Sequence, residues 1–271
     1  MSYSKTPALT LISSRDNALL KDLRRLVQVS TDYRKQGRFW AEGDHLVRAA
    51  MARDQHPELG VFSESFWPLV PVEYAQAATK NVVISDHLFA ELSTLESPAR
   101  LGFVFAVPRT PVIQADAASV ILDRVQDPGN VGSILRSASA FGFRQVITLK
   151  GTAALWAPKV LRAGMGAHWG LQLIEGVGLA ELHQLTLPIL VTSSHRGDVL
   201  HQMLKKGVLP STCAWAMGHE GQGVCAELEA LARFHVRIAQ PGGEESLNVA
   251  AAVAICLHAS MAAAGSCEQF V

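Results

Sequence analysis

Apolar positions along this chain follow two alternating rhythms. Between Asp16 and Val29, Leu19, Leu20, Leu23, Leu26 and Val27 recur at helical spacing with basic residues between them, which predicts an amphipathic helix. Phe39 to Gly43 reads as a short strand with a glycine stop, and Asp44 as the cap of a helix reaching Met51. Apolar runs at Leu59 to Phe62, Asn81 to Ile84 and Leu101 to Val107 predict strands. Helices near Val72 to Thr79 and His87 to Leu92 fall between them. Residues 1–108 therefore predict a small α/β unit. Pro108-Arg109-Thr110-Pro111, followed by polar Gln114 and Asp116, predicts a linker over 109–117.

From Ala118 the alternation restarts and fills 118–271. Strands are predicted at Ser119 to Leu122, Gln145 to Leu149, Leu171 to Ile174, Pro188 to Thr192, Cys213 to Met217 and Phe234 to Ile238. The helices between them are predicted at Val131 to Phe141, Lys159 to Gly164, Leu179 to Leu185 and Val199 to Leu204, with a closing helix at Leu247 to Ala264. Strand and helix in turn predict a mostly parallel sheet covered on both faces. The closing helix is alanine-rich and apolar nearly all round, so another element or a second chain must cover it.

Composition narrows the class. Of 271 residues, 49% are hydrophobic and 18% charged, which describes a compact globular protein. The net charge is zero, so the whole chain gives no sign of a polyanionic partner. Its distribution does: residues 1–53 hold ten Lys or Arg against five acids, a local +5. Such a patch suits either RNA or a solvated helix face. The four cysteines show no C-x-x-C spacing and the histidines no H-x-x-x-H pair; the expectation is no metal site and a reducing, cytoplasmic setting. No signal peptide or membrane span is expected.

Three stretches carry candidate chemistry. In Asp127-Pro128-Gly129-Asn130-Val131-Gly132 a strand gives way to a turn and then to a helix, read here as capped by Asn130. Val131, Ile134, Leu135, Ala138 and Gly142 make its apolar stripe, and Arg136 lies about 140° from Val131, free for solvent, a ligand or a partner chain. In Gly218-His219-Glu220-Gly221-Gln222-Gly223, glycines surround one carboxylate at the carboxyl end of a strand, where open parallel sheets bind ligands. A tight structural turn has the same composition. The third stretch runs from Ile238-Ala239-Gln240-Pro241-Gly242 to Ser246-Leu247-Asn248. It is either a plain strand–loop–helix connection or a ligand cradle at a helix start, with Ser246 or Asn248 as cap.

Taken together, the three stretches resemble the three motifs of the SpoU, or tRNA (ribose-2'-O)-methyltransferase-like, branch of the SPOUT RNA methyltransferases. The resemblance covers 119–264. The N-terminal part, from Ser13-Ser14-Arg15 to Glu42-Gly43-Asp44, is similar to the ribosomal-protein-L30-like substrate-binding domain often fused to these enzymes. It implies a deep trefoil knot, a homodimer whose active site borrows residues across the interface, S-adenosyl-L-methionine as cofactor, and rRNA or tRNA as substrate. By position it implies that Gly218, Ile238, Gln240 and Leu247 bind the cofactor, and that Asn130, Arg136, Glu220, Ser246 and Asn248 are the catalytic polar set. Arg136, permanently protonated, is expected to bind ribose phosphate and stabilise a developing alkoxide rather than act as a base. His219 stands where the family usually has Asn, and Ala239-Gln240 where Pro-Met is commoner. The rival expectation is an RNA-binding protein that keeps the fold without catalysis.

Overall fold

The computed structural model describes residues 8–109, 112–193, 196–242 and 246–265. The chain divides into two compact units. One holds the chain up to Arg109 together with Trp156–Trp169; the other holds the rest.

The first unit contains β1 (Ala8–Ile12), α1 (Ala18–Gln28), α2 (Asp32–Gln36), β2 (Arg38–Glu42), α3 (Asp44–Met51), β3 (Leu59–Ser63), α4 (Val72–Ala77), β4 (Lys80–Ile84), α5 (Asp86–Leu92) and β5 (Leu101–Ala106). Its sheet runs β1-β4-β3-β5-β2. β4 is parallel to both its neighbours, and β5 is antiparallel to β3 and β2. Asn17 caps α1 by accepting from the Leu19 amide, and Leu20, Leu23, Leu26 and Val27 are buried. One expectation changes: Asp44 is the first residue of α3 rather than its cap. Gly43, at φ 96°, takes the capping position, and the Asp44 carboxylate pairs instead with Arg48 one turn on. The basic patch is also largely spoken for. Arg15 and Arg24 share Glu91, Lys21 pairs with Asp16, Arg25 with Asp32 and Arg38 with Asp22.

After Ala118 come β6 (Ser119–Leu122), α6 (Pro128–Ala140), β7 (Gln145–Leu149), α7 (Pro158–Gly164), β8 (Gln172–Val177), β9 (Ile189–Thr192), β10 (Asp198–Val199), α8 (Leu200–Lys205), β11 (Ala214–Met217), α9 (Ala226–Leu231), β12 (Phe234–Arg237) and α10 (Val249–Ala263). The expected helix over Leu179 to Leu185 is a 3-10 segment, Leu179–Gln184. Val199, expected to open a helix, ends the two-residue strand β10. Residues 112–117, read as linker, are pinned: the amide of Gln114 donates to Gln145 Oε1 (2.8 Å), Gln145 Nε2 returns to the Gln114 carbonyl (3.2 Å), and Ile113 packs on the core.

The second sheet runs β10-β12-β9-β11-β6-β7-β8 with every pairing parallel. Parallel strands buried on both faces are near-continuously apolar, and all four residues of β6 and of β11 are buried. β6 leads to β7 and β8 on one side, whereas β11, β9 and β12 lie on the other. The order therefore switches direction at β6 and β11. The loops that leave β6, β9, β11 and β12 emerge at the carboxyl edge around that switch, the place where such sheets bind ligands. α10 packs against α6, α8 and β11.

The segment Trp156–Trp169, between β7 and β8, packs in the first unit. Its Trp156 and Trp169 rings lie 4.6 and 5.6 Å from Phe39, and the Trp169 indole N–H donates to the Leu46 carbonyl at 3.2 Å.

Candidate functional site

The loops at this edge border a cavity of about 980 Å³, large enough for a nucleotide-sized ligand. Its wall includes Gly218, Glu220, Ile238, Gln240, Ser246, Leu247 and Asn248. Seven of the nine residues singled out in the sequence thus converge on one site, although they lie on different loops.

Asn130 is tied to that wall by hydrogen bonds. Its Nδ2 donates to Glu220 Oε1 (3.2 Å), and its Oδ1 accepts from Asn248 Nδ2 (2.9 Å). Asn248 Oδ1 accepts from the amides of Ala250 and Ala251 (2.9 and 3.3 Å), so Asn248 caps α10 as expected while holding Asn130. Asn130 does not cap its own helix. Asp127 does, accepting from the Asn130 amide at 2.7 Å, with Pro128 at the first helical position. That arrangement follows the preference of proline for the first turn, where no N–H is needed. It also frees the Asn130 side chain to reach Glu220 and Asn248.

Glu220 accepts further bonds from the amides of Gln126 and Asp127, at 3.4 Å each. Burial disfavours its charge, but hydrogen bonds from its own backbone amide, from Asn130 and from those two amides outweigh burial and lower the pKa. Glu220 is therefore a carboxylate that holds the first motif against the second.

The second motif is a closed turn. His219 and Gly223 exchange both backbone hydrogen bonds (3.1 and 2.8 Å). A Cβ at Gly218 would sit 2.0 Å from the Gly223 carbonyl carbon, so only glycine fits there. His219 Nδ1 accepts from the amides of Gly221 and Gln222 (3.0 and 3.3 Å). An Asn oxygen makes the same kind of bond in an Asx turn, which accounts physically for a histidine at this position.

Two functional candidates escaped the sequence. Asp123, 2% exposed, follows β6 and is gripped by Arg124 through Nε (2.8 Å) and one terminal nitrogen (3.0 Å). It also accepts from the Cys225 amide at 2.7 Å. Burial would raise its pKa; the guanidinium and that amide win, and the pKa is lowered. Arg124 reaches on to Gln222 Oε1 at 2.8 Å. Two adjacent side chains thus fasten the loop of the second motif to the end of β6. Adjacent residues rarely meet this way, and here Arg124 adopts φ 58°, in the left-handed region.

Arg136 is the residue the structure leaves outside. It is exposed on α6 and absent from the cavity wall, and its side chain makes no hydrogen bond or ion pair with another described residue. Gly243, Glu244 and Glu245 of the third motif lie outside the described residues. Among the described residues no group of His, Cys, Asp and Glu is placed to hold a metal ion, and no helix is long and apolar enough to cross a membrane.

Residues 117–258, which include every element of this site, match the SpoU rRNA Methylase family. The chain belongs to that family. Ahead of the SpoU region, residues 17–101 match an MRM3-like substrate binding domain. Similar proteins include an uncharacterized tRNA/rRNA methyltransferase of Synechocystis, 29% identical over 94% of this chain and 95% of its own. Another is the 23S rRNA (guanosine(2553)-2'-O)-methyltransferase RlmP of Bacillus subtilis, 27% identical over 91% and 97%. Among solved structures, a TrmH-family protein from Porphyromonas gingivalis is 30% identical with a TM-score of 0.76, covering 90% of this chain and 97% of that one. An AdoMet-bound rRNA methyltransferase from Sinorhizobium meliloti has the same fold, with a TM-score of 0.79 at 23% identity over 93% of this chain and 97% of that one.

Proposed function

We propose that this SpoU family member uses S-adenosyl-L-methionine to methylate a ribose 2'-hydroxyl in rRNA. The observation that carries the reading is the Glu220–Asn130–Asn248 chain of hydrogen bonds at the cavity, which ties all three motifs to one ligand-sized space. The residues present suit the cofactor. Gly218, Ile238, Gln240 and Leu247 would hold it, and they line one cavity of about 980 Å³ whose wall carries apolar side chains beside polar and charged ones. When bound, the cofactor supplies a methyl group on a cationic sulfonium, an electrophile that needs no further activation.

The chain's own task is to orient a hydroxyl and to stabilise the charge it develops. Asn130 and Asn248 hold each other in one orientation, and Ser246 offers a hydroxyl on the same wall. Glu220 fixes Asn130 and the start of α6. Arg136 would supply the cation beside the ribose phosphate. Because it is absent from the wall of its own cavity, its role in this reading is exercised in the partner's site of a homodimer.

The dimer is supported by α10, which is apolar nearly all round yet leaves Ile255 42% exposed. An apolar groove of about 250 Å³ between α8 and α10 adds to the uncovered surface. The reading also includes a trefoil knot, in keeping with β12 lying between β9 and β10 before the chain runs on into α10. In a cytoplasmic setting the N-terminal unit would bind RNA through the basic residues that its ion pairs leave available. Incubation with radiolabelled cofactor and rRNA from cells lacking the protein tests the reading. Label should appear as one 2'-O-methyl nucleotide; cofactor binding without transfer would favour a non-catalytic RNA-binding protein.

A further inference from the structure

Among its described residues the cavity wall holds a single Lys or Arg, Arg196, and two acids, Glu220 and Glu229. Glu220 is committed to Asn130 and to the amides of Gln126 and Asp127. The charges left to meet a ligand are Arg196, in the loop from β9 to β10, and Glu229, on α9, and they pair with each other. Both side chains stay open to solvent, 56% for Arg196 and 24% for Glu229, so a ligand in the cavity can reach them. An ion pair this exposed contributes little to stability, and exchanging its partners costs correspondingly little. The backbone that carries Arg196 is nevertheless fixed. Its amide donates to the Ser193 hydroxyl at 3.4 Å. The next residue, Gly197, at φ 103°, runs so close to β12 that a Cβ there would sit 2.3 Å from the His235 carbonyl oxygen.

A neighbouring cation and anion are complementary to a ligand group that carries an anion and a cation side by side. An α-amino acid is such a group, with its carboxylate and ammonium on one carbon. Adenine and ribose are neutral, so within S-adenosyl-L-methionine only the amino-acid end answers this description. We propose that Arg196 and Glu229 form the subsite for that end, Arg196 donating to its carboxylate and Glu229 accepting from its ammonium. The assignment rests on the cofactor reading above and deepens it. The planar guanidinium presents parallel N–H groups to a carboxylate, and on binding each member of the ion pair exchanges one charged partner for another.

Calorimetric titration of the full chain without RNA, using three ligands, tests the assignment. S-adenosylhomocysteine carries both charges, its decarboxylated analogue keeps the ammonium alone, and methylthioadenosine has neither. The unsubstituted protein should bind them with affinity falling in that order. Arg196→Gln should lose about tenfold for S-adenosylhomocysteine, the scale of one hydrogen bond to a charged group, and leave the other two nearly unchanged. Glu229→Gln should lose a similar factor for both ammonium-bearing ligands and none for methylthioadenosine. Retained methylthioadenosine affinity shows that each variant keeps a folded site. An equal loss for all three ligands, or unchanged S-adenosylhomocysteine affinity in Arg196→Gln, overturns the assignment and leaves the cofactor reading standing. If that variant loses RNA binding instead, the guanidinium serves an RNA phosphate and the assignment is again overturned. If the unsubstituted protein binds none of the three, the cofactor reading itself falls, and this assignment with it.

Discussion

Glu220 keeps its charge because amides and an asparagine donate to it. Its folded pKa is depressed, so the stability it contributes is fully present above the unfolded value of about 4.3. That contribution is lost as pH falls through the folded value. Thermal unfolding of the native protein and of Glu220→Gln across pH 3–7 should therefore show a gap between the two that closes as pH drops below about 4. A constant gap would mean that the carboxylate's charge is irrelevant. Arg136 makes a different forecast. Its side chain supports nothing in its own unit, so Arg136→Ala should fold normally and bind cofactor with unchanged affinity. Single-turnover methylation should fall about 100- to 1000-fold, the usual scale for a lost electrostatic donor. Asn248→Ala should weaken both binding and turnover, because that residue caps α10 and holds Asn130; loss of the cap alone costs about 1 kcal/mol.

Among elements, the strands of the second sheet other than the two-residue β10 were legible because buried parallel strands are unbroken apolar runs. The helices with an apolar stripe were legible for the corresponding reason. What escaped was short or unpatterned. β1 is an edge strand with Leu9 and Leu11 exposed; α2 spans five residues; α9 spans six and buries one side chain, Leu228. The site was legible where backbone chemistry marked it, in the glycines of the second motif and the proline turn of the first. The Asp123–Arg124 clasp left no such mark, since nothing in the order Asp-Arg announces a left-handed arginine. Its consequence can be measured. Asp123→Ala strands the Cys225 amide and frees Arg124, and should lower the unfolding free energy by about 2–3 kcal/mol in urea titration. Arg124→Lys keeps the charge but not the two-pronged grip. It should weaken cofactor binding, through Gln222, more than it lowers stability.

The whole molecule is expected to assemble in pairs. Sedimentation at micromolar concentration should give a dimer, and Ile255→Glu, placing a charge on the exposed face of α10, should shift it toward monomer while leaving the fold intact by circular dichroism. A wild-type monomer would remove the reason for placing Arg136 in a partner's site.

The excursion of Trp156–Trp169 into the first unit bears on how the chain is made. During synthesis the N-terminal 109 residues leave the ribosome well before α7 does, and until α7 arrives Phe39 lacks Trp156 and Trp169 and β2 lacks its covering helix. The first unit is therefore the earlier to begin folding and cannot be the earlier to finish. A nascent chain stalled after residue 109 should be cleaved readily by protease in β2. One stalled after α7 has emerged should resist. The same dependence sets where the gene can be cut. A fragment starting at 110 would carry the apolar face of α7, including Val160 and Leu161, with nothing to lie against.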